Sequence, residues 1–329
     1  MPAADGPDRL RRAALAACVA APLAGAALLA RRPRAALVGA RPFGDARAEA
    51  GPYPKRVIDA AGQTRTLEAA PRRIASTYLA CEEMLASLVE VERVVAVSPY
   101  ADDPATSNCF GVYPARVARV RAEPEQLLAL EPDLICVGAF TQAEVVRLLT
   151  GAGPVVLGWS RFDSFAEVVA GVRLLGATVG AEARAEAVAR AVEGELDDVR
   201  RRLEGAPRPR VLYYDSPGYT MGSETLVDEI LTRAGGRNAA AELGIRGPGE
   251  IGMETVLALQ PDTIIMPRYG DADPVLARLA REPAWRGVAA LARGHVREVP
   301  GAWISTVSHH AARGLAHVAR LLHPEAFGI

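Results

Sequence analysis

Residues 125–135, EQLLALEPDLI, and residues 254–264, ETVLALQPDTI, decide the fold because they are two copies of one motif. At a constant offset of 129 positions, seven of the eleven residues are identical. Each copy is interpreted as a short helix, a Pro-Asp turn and a strand, since proline cannot continue a helix and pushes the preceding residue toward extended conformations. The strands that follow, ICVGAF and IIMPRY, are apolar runs typical of parallel sheets covered on both faces. The repeat therefore predicts two similar lobes.

The segments around each copy predict the same alternation of strand and helix. Residues 72–89 and 208–231 are each interpreted as strand, loop and helix, and residues 91–100 and 294–303 add a short strand to each lobe. Strands that alternate with helices predict an α/β fold with mainly parallel sheets. Ahead of the first lobe, RVIDAAGQTRTL predicts a hairpin that turns at Gly62.

The segment between the lobes predicts a long helix. In residues 182–204, apolar side chains recur at spacings of three and four, which indicates about 34 Å of helix with one apolar stripe. Pro207 and Pro209 end it. Because one long helix between two α/β lobes is a stiff connection, we expect little hinge motion. The predicted domains are an N-terminal export segment (1–40), a first α/β lobe (41–162), the inter-lobe backbone helix (163–206) and a second α/β lobe (207–329).

Composition and charge exclude several classes of protein. Half of the 329 residues are apolar, which is enough for a large core and argues against global disorder. Residues 41–329 carry 32 basic and 37 acidic side chains, a net charge of −5. An acidic body does not attract phosphate backbones, so nucleic-acid binding is not expected.

The N-terminus predicts export. Arg9, Arg11 and Arg12 precede an uncharged apolar stretch over residues 13–30, which is the pattern of a secretory signal peptide. A periplasmic location is therefore expected, with membrane anchoring through this segment as an alternative. The cleavage site and lipid attachment at Cys18 both stay open.

No motif for catalysis or for metal capture occurs. The chain lacks a G-x-S-x-G elbow, a G-x-x-x-x-G-K-[ST] loop, a G-x-G-x-x-G fingerprint and an H-E-x-x-H pair. We therefore expect neither an enzyme nor a resident metal or cofactor, and a secreted hydrolase is the less favoured class. No C-x-x-C pair is present; Cys81–Cys109 is the one disulfide considered, and Cys136 is expected in the core.

The order of export segment, hairpin, lobe, long backbone helix and second lobe resembles the substrate-binding proteins of ferric-siderophore and cobalamin ABC importers, the helical-backbone metal receptors. The resemblance covers residues 55–327. It implies a ligand cleft between the lobes, a metal chelate as ligand, a monomer, and a permease dimer with its ATPase subunits as partner. Its most specific segments are the two repeat copies, PRRIAS (71–76), VAVSPYADDP (95–104) and VSHHAARGLAHVARLLHPEAF (307–327).

The resemblance also implies a docking role for Glu125 and Glu254. In this family a glutamate from each lobe meets arginines on the permease, and those glutamates match these two residues. The repeat supports the match independently, since equivalent positions of duplicated lobes would be related by a pseudo-two-fold axis that suits a symmetric permease. The alternative is that each is only a favourable charge at a helix N-terminus, worth about 0.3–1 kcal/mol.

Ligand-binding residues are expected in the loops after the strands, because ligands of open α/β sheets lie at the carboxyl ends of the strands. Tyr100 matches a family position that often faces the ligand. Arg119 and Pro248 stand where cobalamin binders carry aromatic residues. Arginine forks suit anionic ferric siderophores, so we rank these first, cobalamin second, and haem, with Tyr100 or Tyr113 as axial ligand, third. The candidate residues are Tyr78, Tyr100, Arg119, Trp159, Arg161, Tyr219, Arg246, Arg268 and Trp303.

Overall fold

The computed structural model describes residues 47–159, 162–215, 218–270 and 281–329, together with residues 277 and 279. The predicted export segment, with Cys18, lies outside the described residues. The strands are β1 (Arg47–Ala48), β2 (Lys55–Ile58), β3 (Thr64–Leu67), β4 (Ile74–Ser76), β5 (Val94–Val97), β6 (Ala118–Arg119), β7 (Leu134–Gly138), β8 (Val155–Trp159), β9 (Arg210–Tyr213), β10 (Tyr219–Met221), β11 (Arg237–Asn238), β12 (Pro248–Glu250), β13 (Thr263–Arg268) and β14 (Val296–Pro300). The helices are α1 (Leu79–Leu88), α2 (Pro124–Leu128), α3 (Ala143–Gly151), α4 (Phe165–Val179), α5 (Glu182–Arg202), α6 (Leu226–Arg233), α7 (Ala239–Glu242), α8 (Met253–Leu259), α9 (Ala289–Ala292), α10 (Gly301–Ile304) and α11 (Ala311–Leu322).

The N-terminal lobe is built on a five-stranded sheet in the order β6-β5-β4-β7-β8, and every neighbouring pair is parallel. Strands β7 and β8 are buried along their whole length, which explains why their sequences are continuous apolar runs. The predicted hairpin is confirmed, because β2 and β3 pair antiparallel and Gly62 takes a φ of 76° in the turn between them.

The C-terminal lobe repeats this plan with a four-stranded parallel sheet in the order β11-β9-β13-β14. Strands β10 and β12 form a separate antiparallel pair. Strand β13 follows α8 as β7 follows α2, so each repeat copy is the predicted helix, turn and strand. The α/β fold class with two similar lobes is therefore confirmed.

Both repeat copies use the aspartate of the Pro-Asp turn in the same way. Asp133 accepts hydrogen bonds from the backbone N–H groups of Arg72 and Arg73, at 2.6 and 3.0 Å. Asp262 accepts one from the backbone N–H of Arg210 at 2.8 Å. The turn is thus fastened to the neighbouring strand of its own lobe, which explains why the aspartate recurs.

The residue before each proline differs from expectation. Glu131 and Gln260 have left-handed φ angles of 47° and 44°, so the predicted extended backbone is wrong at both positions. In each lobe an arginine of the neighbouring strand region, Arg73 or Arg210, donates to the carbonyl one residue earlier, at 2.6 and 2.9 Å. These bonds satisfy carbonyls that the helix end leaves open, and this outweighs the local preference of a residue before proline.

Two packed helices connect the lobes. Helix α4 begins with a capping box of Ser164 and Glu167 and ends at Gly180, which has a left-handed φ of 72°. Helix α5 then continues for 21 residues, about 32 Å, which confirms the predicted long helix. The two helices lie so close that a Cβ at Gly176 would be 2.2 Å from the Cβ of Ala185. The connection is therefore a helix pair rather than a single rod.

The apolar core is continuous across the two lobes. One buried cluster includes Met84 of α1, Val192 of α5 and Leu315 of α11. Ile135 and Ile264, on β7 and β13, belong instead to two outer clusters, one in each lobe. Since alternate residues of a strand point to opposite faces, the inner faces of both sheets share one core and the outer faces have their own.

The three cysteines of the described part are buried free thiols. The Sγ of Cys109 is hydrogen-bonded with the Oγ of Ser107 at 3.3 Å. The Cys81–Cys109 disulfide is therefore absent, whereas the core position expected for Cys136 is confirmed.

Candidate functional site

Each parallel sheet has the carboxyl ends of its strands along one edge, where ligands of open α/β folds lie. The candidate residues flank these ends in both lobes, apart from Arg161, which lies outside the described residues. In the N-terminal lobe they are Tyr78 after β4, Tyr100 in the turn Pro99–Asp102 after β5, Arg119 at the end of β6 and Trp159 at the end of β8. In the C-terminal lobe they are Tyr219 at the start of β10, Arg246 before β12, Arg268 at the end of β13 and Trp303 in α10.

Loops from the two lobes meet beside this edge. Asn108 of the N-terminal lobe donates its Nδ2–H to the carbonyl of Ala302 at 2.6 Å. A Cβ at Gly301 would lie 3.2 Å from the carbonyl oxygen of Ala105, so the backbones also approach closely. The loop that follows β5 is therefore in direct contact with the segment that follows β14.

Aromatic side chains line the N-terminal lobe at this edge. Tyr78 and Phe162 stack with ring centroids 6.5 Å apart and 4° between their planes. Gly138 makes room for Tyr78, since a Cβ there would lie 2.7 Å from the ring. Trp159 is buried, and its Nε1–H has no hydrogen-bond partner among the described residues. Phe162 was not predicted as a site residue; its place in the loop after β8 was the available signal.

Arg119 is committed within the N-terminal lobe. Its guanidinium donates to both carboxylate oxygens of Asp102 at 2.7 Å, and to the carbonyls of Tyr113 and Val117 at 2.8 and 2.5 Å. The hydrogen bonds from Arg119 lower the pKa of the Asp102 carboxyl. A guanidinium whose three nitrogens all donate hydrogen bonds within the protein has little capacity left to bind a ligand.

Arg246 and Arg268 are exposed in the C-terminal lobe and differ in how firmly they are held. Arg246 forms a close ion pair with Glu224. Among the described residues, the acid paired with Arg268 is Glu298, whose Oε2 lies 3.9 Å from its Nε, beyond hydrogen-bond distance. Of the three candidate arginines in the described part, Arg119, Arg246 and Arg268, the last therefore has the weakest contacts with other side chains.

Beside Arg268, hydroxyl groups form a polar cluster. The hydroxyl of Tyr269 lies 3.2 Å from Asp215 Oδ2 and 2.9 Å from the Oγ of Ser305. Burial, with the nearby Tyr213 and Asp215, raises the pKa of Tyr269, so its hydroxyl stays a hydrogen-bond donor. Asp215 and Ser305 were not predicted as site residues, because only the folded chain brings them to Tyr269.

Two adjacent carboxylates of α1 are fully buried, and neither was predicted. Glu82 accepts hydrogen bonds from the backbone N–H and the hydroxyl of Ser98, both at 2.8 Å. Burial raises the pKa of Glu82 to about 8 in spite of these bonds. The carboxylate of Glu83 accepts hydrogen bonds from residues of both lobes. The signal in the sequence was an acidic pair inside an apolar helix, LACEEMLASL.

Tyr113 and the histidines are held in packing contacts. The Tyr113 hydroxyl donates to the backbone carbonyl of Glu82 at 2.5 Å and is buried, so its oxygen is engaged within the N-terminal lobe. Trp303 packs edge-on against His317, with ring centroids 5.5 Å apart. Over the described ranges, no group of three or more histidine, cysteine or carboxylate side chains could hold a metal ion.

The two predicted docking residues occupy equivalent places. Glu125 lies in the first turn of α2 and Glu254 in the first turn of α8, and both are exposed. No ion pair to either carboxylate occurs among the described residues. Helix α2 directly precedes β7, and helix α8 directly precedes β13.

The fold and this edge match a known family. Residues 74–302 match the family model described as "Periplasmic binding protein". The chain belongs to the periplasmic binding protein family. Members of this family bind and deliver substrates for transport and are not enzymes, in agreement with the absence of catalytic motifs.

Relatives of this periplasmic binding protein carry different cargo names. It is 24% identical to the uncharacterized ABC transporter substrate-binding lipoprotein YvrC of Bacillus subtilis, over 84% of this chain and 87% of the relative. It is 25% identical to a cobalamin-binding protein of Halobacterium salinarum (82% and 74% covered) and 26% identical to the Fe(3+) dicitrate-binding periplasmic protein FecB of Escherichia coli (72% and 79% covered). The fold is shared with the molybdate periplasmic binding protein MolA of Haemophilus influenzae, with a TM-score of 0.71, 20% identity, and 83% and 92% of the two chains covered.

The periplasmic binding protein has an ABC importer as its expected partner, since its relatives are substrate-binding proteins of such transporters. Among the helices in the described ranges, none is both long and apolar enough to cross a membrane. Signal cleavage and lipid attachment fall in residues 1–46, outside the described part, and stay predictions.

Proposed function

We propose that this periplasmic binding protein captures an anionic ferric chelate of the siderophore type between its lobes and delivers it, as a monomer, to an ABC-importer permease dimer with its ATPase subunits. The chelate is cargo, and no resident cofactor is proposed. The observation that carries the choice of cargo is Arg268, an exposed and weakly held guanidinium at the carboxyl end of β13.

Arg268 suits an anionic, oxygen-rich ligand. Its side chain is 47% exposed, and Glu298, its one acidic neighbour within 4 Å in the described part of the chain, is too far for a hydrogen bond. A guanidinium in this state can turn its fork to two carboxylate or catecholate oxygens. The hydroxyls of Tyr269 and Ser305 lie at the same edge of this lobe. We propose them as further polar groups for such a ligand.

The relatives are compatible with this class of cargo. The Escherichia coli relative is named for Fe(3+) dicitrate, an iron complex with carboxylate oxygens. Arg246, 66% exposed, is a second candidate, although its ion pair with Glu224 must exchange for the ligand. Arg161, two residues after the end of β8 in sequence and outside the described residues, completes the proposed set.

A corrinoid is the second candidate. The stacked rings of Tyr78 and Phe162 would suit the broad apolar face of cobalamin, and one relative is named as cobalamin-binding. Against this, Arg119 is committed to Asp102 and Pro248 provides no aromatic wall. Because of the aromatic pair, cobalamin is included in the binding test, and it ranks second to the anionic ferric chelate.

The test is a binding screen on the exported protein. Native mass spectrometry and tryptophan fluorescence would compare ferric dicitrate, ferric siderophores, cyanocobalamin and haem. We expect an anionic ferric chelate to bind, and its affinity to fall with added salt. Arg268→Ala should weaken that affinity about a hundredfold, the effect of two charge-assisted hydrogen bonds.

Arg293→Ala is the matched control, since it removes an exposed arginine of the same lobe from the helix α9 end. Its affinity should equal that of the wild type. Tight, salt-insensitive binding of cyanocobalamin with no response to any ferric chelate would replace iron by a corrinoid as the proposed cargo. Catalytic turnover of a supplied ester or glycoside would instead support the hydrolase class.

Location is tested separately. The basic start and the apolar stretch of residues 13–30 lead us to propose export to the periplasm by a signal peptide. Cell fractionation should find the protein outside the cytoplasm with a shortened N-terminus, and intact mass would distinguish simple cleavage from lipid attachment at Cys18. Full-length protein in the cytosol would contradict the proposal.

A further inference from the structure

Glu83 is a fully buried carboxylate of α1 that binds both lobes. Its Oε1 accepts hydrogen bonds from the backbone N–H and the side-chain Nδ2–H of Asn108, at 2.8 and 3.0 Å, within the N-terminal lobe. Its Oε2 accepts from the hydroxyl of Thr306 at 2.7 Å and from that of Ser308, both in the C-terminal lobe. One carboxylate oxygen thus accepts hydrogen bonds from each lobe. Thr306 and Ser308 are 223 and 225 positions from Glu83 in sequence.

The donors of the C-terminal lobe are themselves held in place. The backbone N–H of Ser308 donates to Thr306 Oγ1 at 3.1 Å, and Ser308 Oγ accepts from the backbone N–H of His310 at 3.2 Å. One turn after Glu83 in helix α1, Ser87 Oγ lies 3.1 Å from His309 Nε2. Residues four apart share a face of a helix, so α1 presents one polar face to this segment.

The arrangement makes separation of the lobes costly at this seam. Burial raises the pKa of Glu83, and the hydrogen bonds from Ser308, Asn108 and Thr306 oppose that effect. If the lobes parted here and no water replaced Thr306 and Ser308, Oε2 would be left as an unsatisfied buried acceptor, which is unfavourable. The adjacent Glu82 differs, since both of its hydrogen bonds come from Ser98 in its own lobe.

We propose that Glu83 is a positioning residue for the cleft. It ties the loop that carries Tyr100 to the segment that carries Trp303, and so fixes the spacing of the two lobes where the ligand is expected. The inference uses the proposed place of the ligand between the lobes, but it depends on no particular cargo, and its test uses none.

The test is amide hydrogen exchange on the ligand-free protein, with X-ray scattering as a second measurement. Glu83→Ala should speed exchange at residues 306–310 of the opposite lobe about tenfold, the effect of losing roughly one hydrogen bond, and should increase the radius of gyration. Glu83→Gln should restore most of the protection, because an amide can accept from one lobe while the hydroxyls of Thr306 and Ser308 turn to accept from it.

Glu82→Ala is the matched control, a buried glutamate on the same helix with partners in one lobe only. It should speed exchange near Ser98 and leave residues 306–310 as in the wild type. If Glu83→Ala, like the control, speeds hydrogen exchange in the N-terminal lobe alone and leaves the scattering unchanged, Glu83 is a local stabiliser and the proposal is wrong.

A milder variant covers the case in which Glu83→Ala does not fold. Ser308→Ala removes one donor from the C-terminal lobe and leaves the carboxylate in place. The effect should cross to the N-terminal lobe and speed exchange of the Asn108 amide about threefold. An unchanged Asn108 amide would overturn the proposal, whereas failure to bind any iron chelate would concern the cargo alone.

Discussion

Lys55, the only lysine of the chain, lies on the N-terminal hairpin and caps the C-terminal end of helix α4. Its ammonium is buried, donates to the carbonyl of Ala177 at 2.7 Å, pairs with Glu182, and lies 4.5 Å from the ring centre of Tyr53. Helix carbonyls at a C-terminus have no partner within the helix, so a cation there is favourable. The hairpin is thereby fastened to the helix pair that joins the lobes.

Lys55→Met tests this contact, since methionine keeps most of the apolar stem and removes the charge. We expect the free energy of unfolding to fall by about 1.5–3 kcal/mol, the range for a hydrogen bond from a charged donor. Urea denaturation would measure it. The control is Arg56→Met, whose exposed ion pair with Glu49 spans 3.5 Å and should contribute less than about 1 kcal/mol. Equal losses for both variants would contradict a special role for Lys55.

Glu82 predicts how stability depends on pH. Burial raises its pKa from 4.5 to about 8, so between these values the folded protein binds a proton that the unfolded chain does not. Stability from this group is therefore complete below about pH 4.5 and is lost as pH rises toward 8. Glu82→Gln cannot ionise and should flatten the fall in urea midpoint between pH 5 and pH 8. Parallel profiles for variant and wild type would show that the carboxyl does not titrate there.

At the scale of elements, the repeated helices α2 and α8 carry the docking prediction. Glu125 and Glu254 are exposed at equivalent places, so replacing both by alanine should leave the fold and cargo affinity unchanged. Each exposed ion pair with a permease arginine contributes about 1 kcal/mol, so the double variant should bind the permease about thirtyfold more weakly. Permease-stimulated ATP hydrolysis and uptake would report the loss.

The control keeps the change in net charge and moves it elsewhere. Glu68→Ala with Glu204→Ala removes two exposed carboxylates that lie outside the repeat. That double variant should stimulate the permease as the wild type does. If Glu125→Ala with Glu254→Ala also transports normally, these two residues are helix-end charges and have no docking role.

The same elements show how far the sequence predicts the fold. Local patterns were sufficient for β7, β13 and the long helix α5, because continuous apolar runs and a 3.6-residue period are properties of the chain itself. The backbone of the residue before each proline of the repeat was not predicted correctly. Glu131 and Gln260 are left-handed because arginine segments from the neighbouring strands bind the aspartate and a carbonyl of each turn, and such tertiary contacts override the local rule for a residue before proline.

The site was less predictable than the fold. Sequence position brings Arg119 and Arg268 to the correct edge. It does not show that Arg119 is bound to Asp102, or that Arg268 has only the long 3.9 Å contact with Glu298 among the described residues. Glu83 and Ser308 are separated by 225 positions, so their contact follows from the packing of two lobes and from no local pattern. Chemistry that depends on which donors a side chain has left over is decided at this long range.

At the scale of the whole molecule, the shared core determines how the lobes behave. Buried side chains from the inner faces of both sheets pack on α4 and α5 in one cluster, and Leu315 of α11 lies fully buried within it. Lobes that share a core should unfold together, and small domain rotations should be limited by the same packing. This agrees with the expectation of little hinge motion from the long helix.

Calorimetry of Leu315→Ala tests the shared core. Deleting this buried side chain from the C-terminal lobe should cost about 2–5 kcal/mol, and the whole protein should melt in one transition about 3–8 °C lower. The control is Leu243→Ala in the same lobe, which is 46% exposed and should leave the transition in place. If the lobes were independent, a second peak from the N-terminal lobe would stay at the wild-type temperature. A single shifted peak, with calorimetric and van't Hoff enthalpies that agree, would show that the two lobes fold as one unit.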